Sequence, residues 1–565
     1  MGVGAVNVFE RLSASIGDLR AVNPQFQPAL DVPYGGVLFA LPALLVTGLL
    51  SKVDEHFRLP KGYYGLESIF LLLGFMALAR IKTIEDLRYC APGEWGKLLG
   101  LDRIPEVRTL REKVKHLAQK GQGEKWSAEV CAQWMQSDTQ AANVLYIDGH
   151  VRVYHGSLTP LPRHYVAREK LCLRATVDYW VNARGGQPFF YINKDVDPGL
   201  LSVLEEEIIP RLQKEVPGQP DSTQLKDKPF SHRFTLIYDR EGYSPDFMKR
   251  MKAERIACIT YHKHAKESWP LEEFTSCKLT TIGGNVVNAQ LAERGTRLSN
   301  NLWVREIRKL GSGNKDHQTS ILSTDYASDL KVVASEIADR WSQENFFKYM
   351  RQHYNLDRLV DYSLEDVSET TKVVNPDYRR LDGEVRCLNA QHSRRLAEFG
   401  SIHLEGPIKP EVVEAYQSKK AKLQEEVTRL EKELNTTKAK RKGVDRHILV
   451  SQLPEQERFS RLATGSKHLL DTIKMIAYRA ETAMVNVMRE AMAREDDGRA
   501  LLRALYQTEV DLMPDEENKT LTVKLHHLTN HCSDKTIQHL CDELNETDTV
   551  FPGTNLRLIY KLGTS

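Results

Sequence analysis

Apolar positions in the middle of the chain come in short blocks that are separated by two stretches of helical spacing. Ala142–Asp148 is an apolar run that ends in an acid, and Val151–His155 alternates as a second strand would. Gly149-His150 predicts a tight turn between these two strands. Pro188–Lys194 predicts a third strand, and the apolar residues of Leu200–Val216 recur at helical spacing.

Three more elements follow with clear patterns. Phe234–Asp239 is a second apolar run that ends in an acid, Ser244–Arg255 predicts a helix with proline in its first turn, and Ala257–Tyr261 predicts a fifth strand. The predicted order is therefore strand, strand, strand, helix, strand, helix, strand. This is the order of a ribonuclease H-like domain.

About 65 residues, from Glu267 to about Ser328, lie between the fifth predicted strand and the next predicted helix. They contain strand-like alternation in Lys278–Val287 and Leu302–Ile307, and helical periodicity returns at Leu330–Tyr354. We therefore predict an α/β fold with a ribonuclease H-like mixed sheet, interrupted by a β-rich insertion at about 267–328.

The flanking regions are predicted to be mostly helical. Gly35–Leu50 and Leu66–Ile81 are apolar stretches of about 16 residues, shorter than the roughly 20 that a membrane span needs. We interpret them as buried helices, so a membrane protein is only a distant alternative. The predicted regions are a helical DNA-binding region (1–135), a catalytic domain (140–365) and a C-terminal region (366–565) with a charged amphipathic helix at 411–442.

The segment Thr83–Leu117 has the pattern of short helices separated by turns. Its last helix has Leu110 and Val114 at helical spacing, and Arg108 and Arg111 among several basic residues. One interpretation is a helix-turn-helix with a basic helix in the major groove of DNA. The other is a three-helix packing unit with a solvated basic face.

Composition narrows the class of protein. The chain has 565 residues and a net charge of only +2, so a DNA-binding surface has to come from local clusters of lysine and arginine. Its eight cysteines include no CxxC pair, which favours a reducing compartment. Neither common nucleotide-binding glycine loop is present, so ATP dependence is not indicated.

Three acids fall at positions where they can share metal ions. Asp148 and Asp239 end two strands that the predicted order makes parallel and adjacent, so their carboxylates are expected side by side. Glu344 lies on the later helix, on one face with Arg340, Lys348 and Arg351. Two Mg²⁺ or Mn²⁺ ions held by such carboxylates can serve both the attacking and the leaving oxygen of a phosphodiester.

The segments that carry these acids resemble the three acidic motifs of DDE insertion-sequence transposases. They are YIDGHVRVYHG (146–156), IYDREGYSPDFMKRM (237–251) and RWSQENFFKYMRQHYNLDRLVDY (340–362). The third is most similar to the YREK signature, although Ile337 stands where that signature has tyrosine and Arg351 where it has lysine. The resemblance implies a metal-binding catalytic triad of Asp148, Asp239 and Glu344.

The resemblance also implies the activity and the partners. The enzyme is expected to nick transposon ends with water and then to join the freed 3′-OH to target DNA. It is expected to act as a homodimer in the synaptic complex, in the cytoplasm on the bacterial nucleoid. The alternatives are a catalytically inactive DNA-binding relative that regulates transposition, and a related nuclease that cuts without joining.

Other side chains are candidates for DNA contacts or for zinc. Trp303, in the insertion, either stacks on a base or packs in the protein. Possible phosphate contacts are Lys194, Arg240 and Arg305. The tail has His526, His527, His531, Cys532, His539 and Cys541, whose spacing matches no closed four-ligand zinc pattern.

Overall fold

The computed structural model describes residues 7–156, 161–166, 169–265, 267–280, 286–311, 317–358, 364–365, 367–403, 410–462, 464–492, 497–528 and 533–563. Its helices are α1 (Val8–Ser15), α2 (Leu41–Val46), α3 (Val53–His56), α4 (Leu66–Leu78), α5 (Pro92–Lys97), α6 (Val107–Leu117), α7 (Gln122–Ser137), α8 (Leu200–Val203), α9 (Ile209–Glu215), α10 (Ser222–Asp227), α11 (Pro245–Ala253), α12 (Leu330–Ala338), α13 (Arg340–Tyr354), α14 (Pro376–Ser401), α15 (Pro410–Lys442), α16 (Gly465–Met488), α17 (Gly498–Gln507) and α18 (Asp534–Asn545).

The strands are β1 (Ala29–Val32), β2 (Val144–Val153), β3 (Arg163–Val166), β4 (Leu171–Asn182), β5 (Pro188–Lys194), β6 (Thr235–Tyr238), β7 (Ala257–Tyr261), β8 (Thr275–Thr280), β9 (Val286–Arg297), β10 (Trp303–Leu310), β11 (Gln318–Ser323), β12 (Leu364–Glu365), β13 (Lys372–Val374), β14 (His447–Leu449), β15 (Arg461–Leu462), β16 (Val510–Asp515), β17 (Thr520–Leu525) and β18 (Arg557–Leu562). The predicted α/β class is confirmed, because the structure contains many helices as well as mixed sheets.

The central sheet has ten strands in the order β3-β4-β2-β6-β7-β11-β10-β9-β8, with β5 also paired to β4. Strands β2, β6 and β7 run parallel to one another, while β4 is antiparallel to β2 and β11 is antiparallel to β7. The strands of the predicted insertion therefore extend the same sheet beyond β7. The predicted third strand (188–194) and fifth strand (257–261) are confirmed.

The predicted turn at Gly149-His150 is wrong. Residues 144–153 form one continuous strand, β2, and Gly149 pairs with Tyr179 in the antiparallel register with β4. A Cβ on Gly149 would lie 3.2 Å from the Tyr179 ring, so the glycine accommodates a neighbouring side chain and does not make a turn. The strands that follow β2 in this sheet are β3 and β4, and the sequence patterns identified neither of them.

The long helix predicted at 330–354 is divided into α12 and α13. Asp339 ends α12 and precedes α13, and the Ile337 side chain is buried with Val144 and Tyr146 beneath the sheet. Further along, α14 and α15 form an antiparallel hairpin, in which Arg395 contacts Glu426 at 3.0 Å. The amphipathic helix predicted at 411–442 is confirmed as one arm of this hairpin.

The two ends of the chain pack together. A second sheet has the order β1-β16-β17-β18, so a strand near the N-terminus pairs with strands near the C-terminus. The α16 helix contacts α2, α4, α6 and α7. The boundaries at 1–135, 140–365 and 366–565 stay a prediction, but the first and third regions share one core.

The two apolar stretches near the N-terminus are buried in this core. Gly35–Ala40 and α2 come from the first stretch, and α4 from the second, and most of their side chains are inaccessible to solvent. In the ranges that the structure describes, no helix is long and apolar enough to cross a membrane.

We expect Gly36→Ala to destabilise the joined ends of the chain. A Cβ at Gly36 would lie 1.8 Å from the carbonyl oxygen of Leu505, a backbone atom that cannot rotate away. Overpacking of this kind costs about 1–3 kcal/mol in the free energy of unfolding, which chemical denaturation would measure. Gly383→Ala is the control, because Gly383 is exposed in α14 with nothing near its Cβ position. That change is expected to stabilise α14 by about 1 kcal/mol.

Candidate active site on the central sheet

Two of the three predicted acids lie side by side where two parallel strands part. The register of β2 with β6 ends at the pair Ile147 and Tyr238, so the next residues are Asp148 and Asp239. Asp148 does not end its strand as predicted, because β2 continues to Val153 along β4. Asp239 follows the end of β6, at the carboxyl edge where open α/β sheets bind ligands.

The third acid is carried to the same edge by α13. Buried Gln343, beside Glu344 in sequence, donates from Nε2 to the carbonyl of Tyr146 at 3.2 Å and to Oδ1 of Asn182 at 2.9 Å. The first turn of α13 also lies close to Gly186, where a Cβ would be 2.6 Å from the carbonyl oxygen of Ser342. These contacts fix the start of α13 against β2 and β4.

The guanidinium of Arg340 lies among the three carboxylates. Its nitrogens are 3.4 Å from Oδ2 of Asp148, 3.8 Å from Oδ2 of Asp239 and 2.9 Å from Oε1 of Glu344. The Arg340 side chain is only 13% exposed, whereas Asp239 and Glu344 are each 42% exposed. The three predicted acids are thus brought together around one partly buried cation that is open to solvent on the carboxylate side.

The carboxyl of Asp148 has a perturbed pKa. Burial, with the negative charges of Asp239 and Glu344, raises this pKa from 3.8 to about 6, although the positive charge of Arg340 acts in the opposite direction. Burial also raises the pKa of Glu241, with added repulsion from Asp197, Asp148 and Asp239. The edge of the sheet therefore holds an excess of negative charge that an added cation would relieve.

The donor set fits a hard divalent cation. Asp148, Asp239 and Glu344 offer only carboxylate oxygens, which Mg²⁺ and Mn²⁺ prefer. The three carboxylates surround the guanidinium, and their oxygens do not all lie within 4.8 Å of one another. Among the described residues, a group of three potential ligand atoms that close together occurs at Asp31, Glu509 and His526.

The tail residues that were predicted as possible zinc ligands do not form one metal cluster among the described residues. His526 contacts Asp511 at 3.0 Å and His527 contacts Asp534 at 3.0 Å, while Cys541 is buried. His531 and Cys532 lie outside the described residues.

Two basic residues predicted beside Glu344 are available to a ligand. Lys348 and Arg351 are exposed on α13 and form no ion pair within the described ranges. Arg240 is exposed as well, and its guanidinium lies 5.7 Å from the centre of the Tyr261 ring. All three remain candidates for phosphate contacts.

Other predicted contacts are engaged within the protein. Lys194 pairs with Glu207, Arg108 with Glu112 at 3.0 Å, and Arg111 with Glu85. Arg305 donates to the carbonyls of Asp325 and Ser328, each at 2.7 Å, so it holds a loop in place.

Trp303 begins β10 with 52% of its surface exposed, and its ring lies against Gly295. Together with exposed Phe230 and with Tyr326 it lines a cavity of about 290 Å³. The ring is accessible for stacking, but its contact with Gly295 also fits the packing interpretation.

Sequence reasoning missed two neighbours of the triad. Trp341 follows Arg340 directly and is 66% exposed, so it places a large aromatic surface at the start of α13. Glu241, two residues after Asp239, adds a fourth acid whose pKa responds to the triad. Proximity in sequence to Arg340 and Asp239 was the available signal for both.

One family of known proteins matches almost the whole chain. A family model described as a transposase protein matches residues 2–564. The chain belongs to this transposase family. No curated protein matches the chain. As a transposase it has DNA as its partner.

Proposed function

We propose that this transposase is a DDE enzyme that cleaves transposon ends and joins them to target DNA. Asp148, Asp239 and Glu344 are the proposed ligands of two divalent ions, either Mg²⁺ or Mn²⁺. The observation that carries the proposal is the convergence of these three carboxylates on Arg340 at the edge of the parallel strands. Bound divalent ions would activate the attacking oxygen and stabilise the leaving one.

The topology of the sheet supports a ribonuclease H-like core. The strands β5, β4, β2, β6 and β7 occur in that spatial order, with the first three antiparallel and the last three parallel. Two acids at the centre of such a sheet, and a third on a helix that follows it, match the arrangement that the sequence resemblance implies. The strands β8 to β11 correspond to the β-rich insertion before the glutamate helix.

The remaining residues of the site bind and orient DNA in this proposal. Arg340 offers several N–H groups in one plane, which suits bidentate contact with a phosphate. Lys348 and Arg351 extend the same positive charge along α13. The freed 3′-OH is then positioned for attack on the target strand without any covalent bond between protein and DNA.

The test is cleavage and strand transfer on DNA that carries the element's ends, with Mg²⁺ or Mn²⁺ present. Wild type is compared with Glu344→Ala, and binding to the same ends is measured in parallel. We expect only the wild type to cut and join, while both proteins bind.

Each other outcome selects a different function. If both proteins bind the ends but neither cuts, the chain is a regulatory relative without catalysis. Cutting by the wild type without joining indicates a nuclease. Equal cutting by both proteins removes Glu344 from the proposed triad.

Two ends have to be held together for transposition, so we also propose a homodimer in the synaptic complex, bound to the bacterial nucleoid.

A further inference from the structure

A large cavity lies between the N-terminal helices and the C-terminal half of α13. It has a volume of about 610 Å³, which is within the range of roughly 300–1,000 Å³ typical of ligand sites. Its walls come from α4, α6, α13 and α16, together with the segment 81–85. Residues far apart in the sequence therefore form one pocket that the acidic triad does not use.

The floor of the cavity is apolar. Its side chains are those of Leu73, Met76, Ile81, Val114, Leu470 and Ile473. Tyr354 and His353, at the end of α13, also line the cavity. A flat, weakly polar group such as a nucleobase can be buried on such a floor, because apolar and aromatic surfaces accept every base.

The rim of the cavity is cationic. Its basic residues are Lys82, Arg111, Lys115, Arg358 and Lys474, and Glu85 is the one carboxylate among the residues that line it. Glu85 pairs with Arg111, and Lys474 lies 3.4 Å from Asp471. The other three cations form no ion pair in the ranges that the structure describes.

The electrostatic field at the rim acts on His353. Partial burial, with the nearby positive charges of Arg503, Arg80 and Lys82, lowers the pKa of His353 to about 4, against the opposite effect of Glu481. His353 is therefore neutral at pH 7, and the positive charges near it outweigh the effect of Glu481.

We propose that this cavity binds an unpaired nucleotide of the DNA, with the base on the apolar floor and the adjoining phosphates on Lys82, Lys115 and Arg358. The charge of the rim is complementary to a phosphate backbone, and the family of the chain supplies DNA as the occupant. A paired base has no free face to place on the floor, so single-stranded DNA is preferred over duplex. The inference rests on DNA binding and not on the chemistry of the triad.

The test uses the full-length protein with the metal chelated, so that no cleavage occurs. Anisotropy gives the affinity for a labelled single-stranded oligonucleotide and for a duplex of equal length, over a range of salt concentrations. A 2-aminopurine in the single strand reports burial of a base. The rim variant combines Lys82→Glu with Lys115→Glu, both at exposed positions. The matched control combines Lys226→Glu with Lys535→Glu, also exposed and outside the cavity.

We expect the rim variant to bind single-stranded DNA about tenfold more weakly than the control, with a salt dependence reduced by about 1–2 in slope. A second variant, Ala77→Trp, fills the cavity without changing charge. It is expected to abolish the 2-aminopurine signal and to leave the salt slope unchanged. Glu344→Ala is expected to bind single-stranded DNA as the wild type does. The binding result therefore does not depend on whether the proposed triad is correct.

The inference is overturned if the rim variant and the control bind single-stranded DNA equally well. If sedimentation then shows that the rim variant has lost self-association, the cavity is an interface between two copies of the chain.

Discussion

Replacing Asp148 by asparagine is expected to lower cleavage and strand transfer by about 10³-fold or more. Asparagine keeps the shape of the side chain but offers a neutral amide in place of a carboxylate. A metal-assisted step loses several kcal/mol of transition-state stabilisation when its ion is not held, and each 1.36 kcal/mol is a factor of about ten in rate. Single-turnover assays on pre-cut and intact transposon ends would measure the two steps separately.

The control for this substitution is a neighbouring acid that the proposal leaves outside the triad. Glu241 lies close enough to perturb the same charges, so Glu241→Gln tests whether any loss of negative charge at this edge is damaging. A much smaller effect for Glu241→Gln than for Asp148→Asn is expected. Comparable losses would mean that the local field, and not ligation by Asp148, limits the reaction.

The same asparagine variant is expected to be more stable than the wild type in the metal-free state. The raised pKa of Asp148, about 6 against 3.8, means that the folded state binds more protons than the unfolded state between these values. The stability of the wild type therefore falls as pH rises from about 4 to about 6, and the penalty is fully present above that window. We expect Asp148→Asn to gain about 1–3 kcal/mol at pH 7.5 and to lose this advantage near pH 4.

The measurement is denaturant unfolding in the presence of a chelator at pH 4, 6 and 7.5. Glu241→Gln again serves for comparison, because the pKa of that group is also raised. A constant difference between Asp148→Asn and wild type at all three pH values would contradict the stated pKa of Asp148.

The largest loss of stability is expected from Glu481→Gln. The Glu481 carboxylate is fully buried in α16, where it accepts hydrogen bonds from Tyr354 at 2.7 Å and Tyr349 at 3.2 Å. It also pairs with Arg80 at 2.5 Å and Arg499 at 3.3 Å. Removal of one partner from a buried ion pair costs about 3–5 kcal/mol, since the remaining charge is left unbalanced.

This substitution also bears on the active site, because Tyr349 and Tyr354 lie on the helix that carries Glu344. The control is Glu490→Gln, the same chemical change at an exposed position just after α16, for which we expect a change within about 0.5 kcal/mol. Apparent unfolding midpoints and strand-transfer rates would be compared for the two variants. Equal stability of the two would show that the buried network does not hold α13 in place.

The elements that were predicted well are those whose pattern is local. The strands at 188–194 and 257–261, the helix at 245–253 and the amphipathic helix at 410–442 each have a periodicity that a short window of sequence reveals. The elements that were missed depend on contacts with distant residues. Gly149 looked like a turn because glycine is common in turns, yet the ring of Tyr179 thirty residues away explains it.

The candidate site shows the same division. Apolar runs that end in an acid identified Asp148 and Asp239, and helical spacing grouped Glu344 with Arg340. The central position of the Arg340 guanidinium could not be read from spacing. It depends on the register of β2 with β6 and on the hydrogen bonds that hold Gln343 against β4.

The sequence by itself therefore determined the α/β class, about half of the strands of the central sheet and the choice of the three candidate acids, because burial patterns and residue types are local properties. Tertiary structure alone decided the continuous β2, the extension of the sheet beyond β7, and the joining of β1 to β16 from opposite ends of the chain. It also assembled the cationic cavity from four separate helices. Pairing, register and cavities depend on which distant residues meet, and a single sequence carries no local pattern for that.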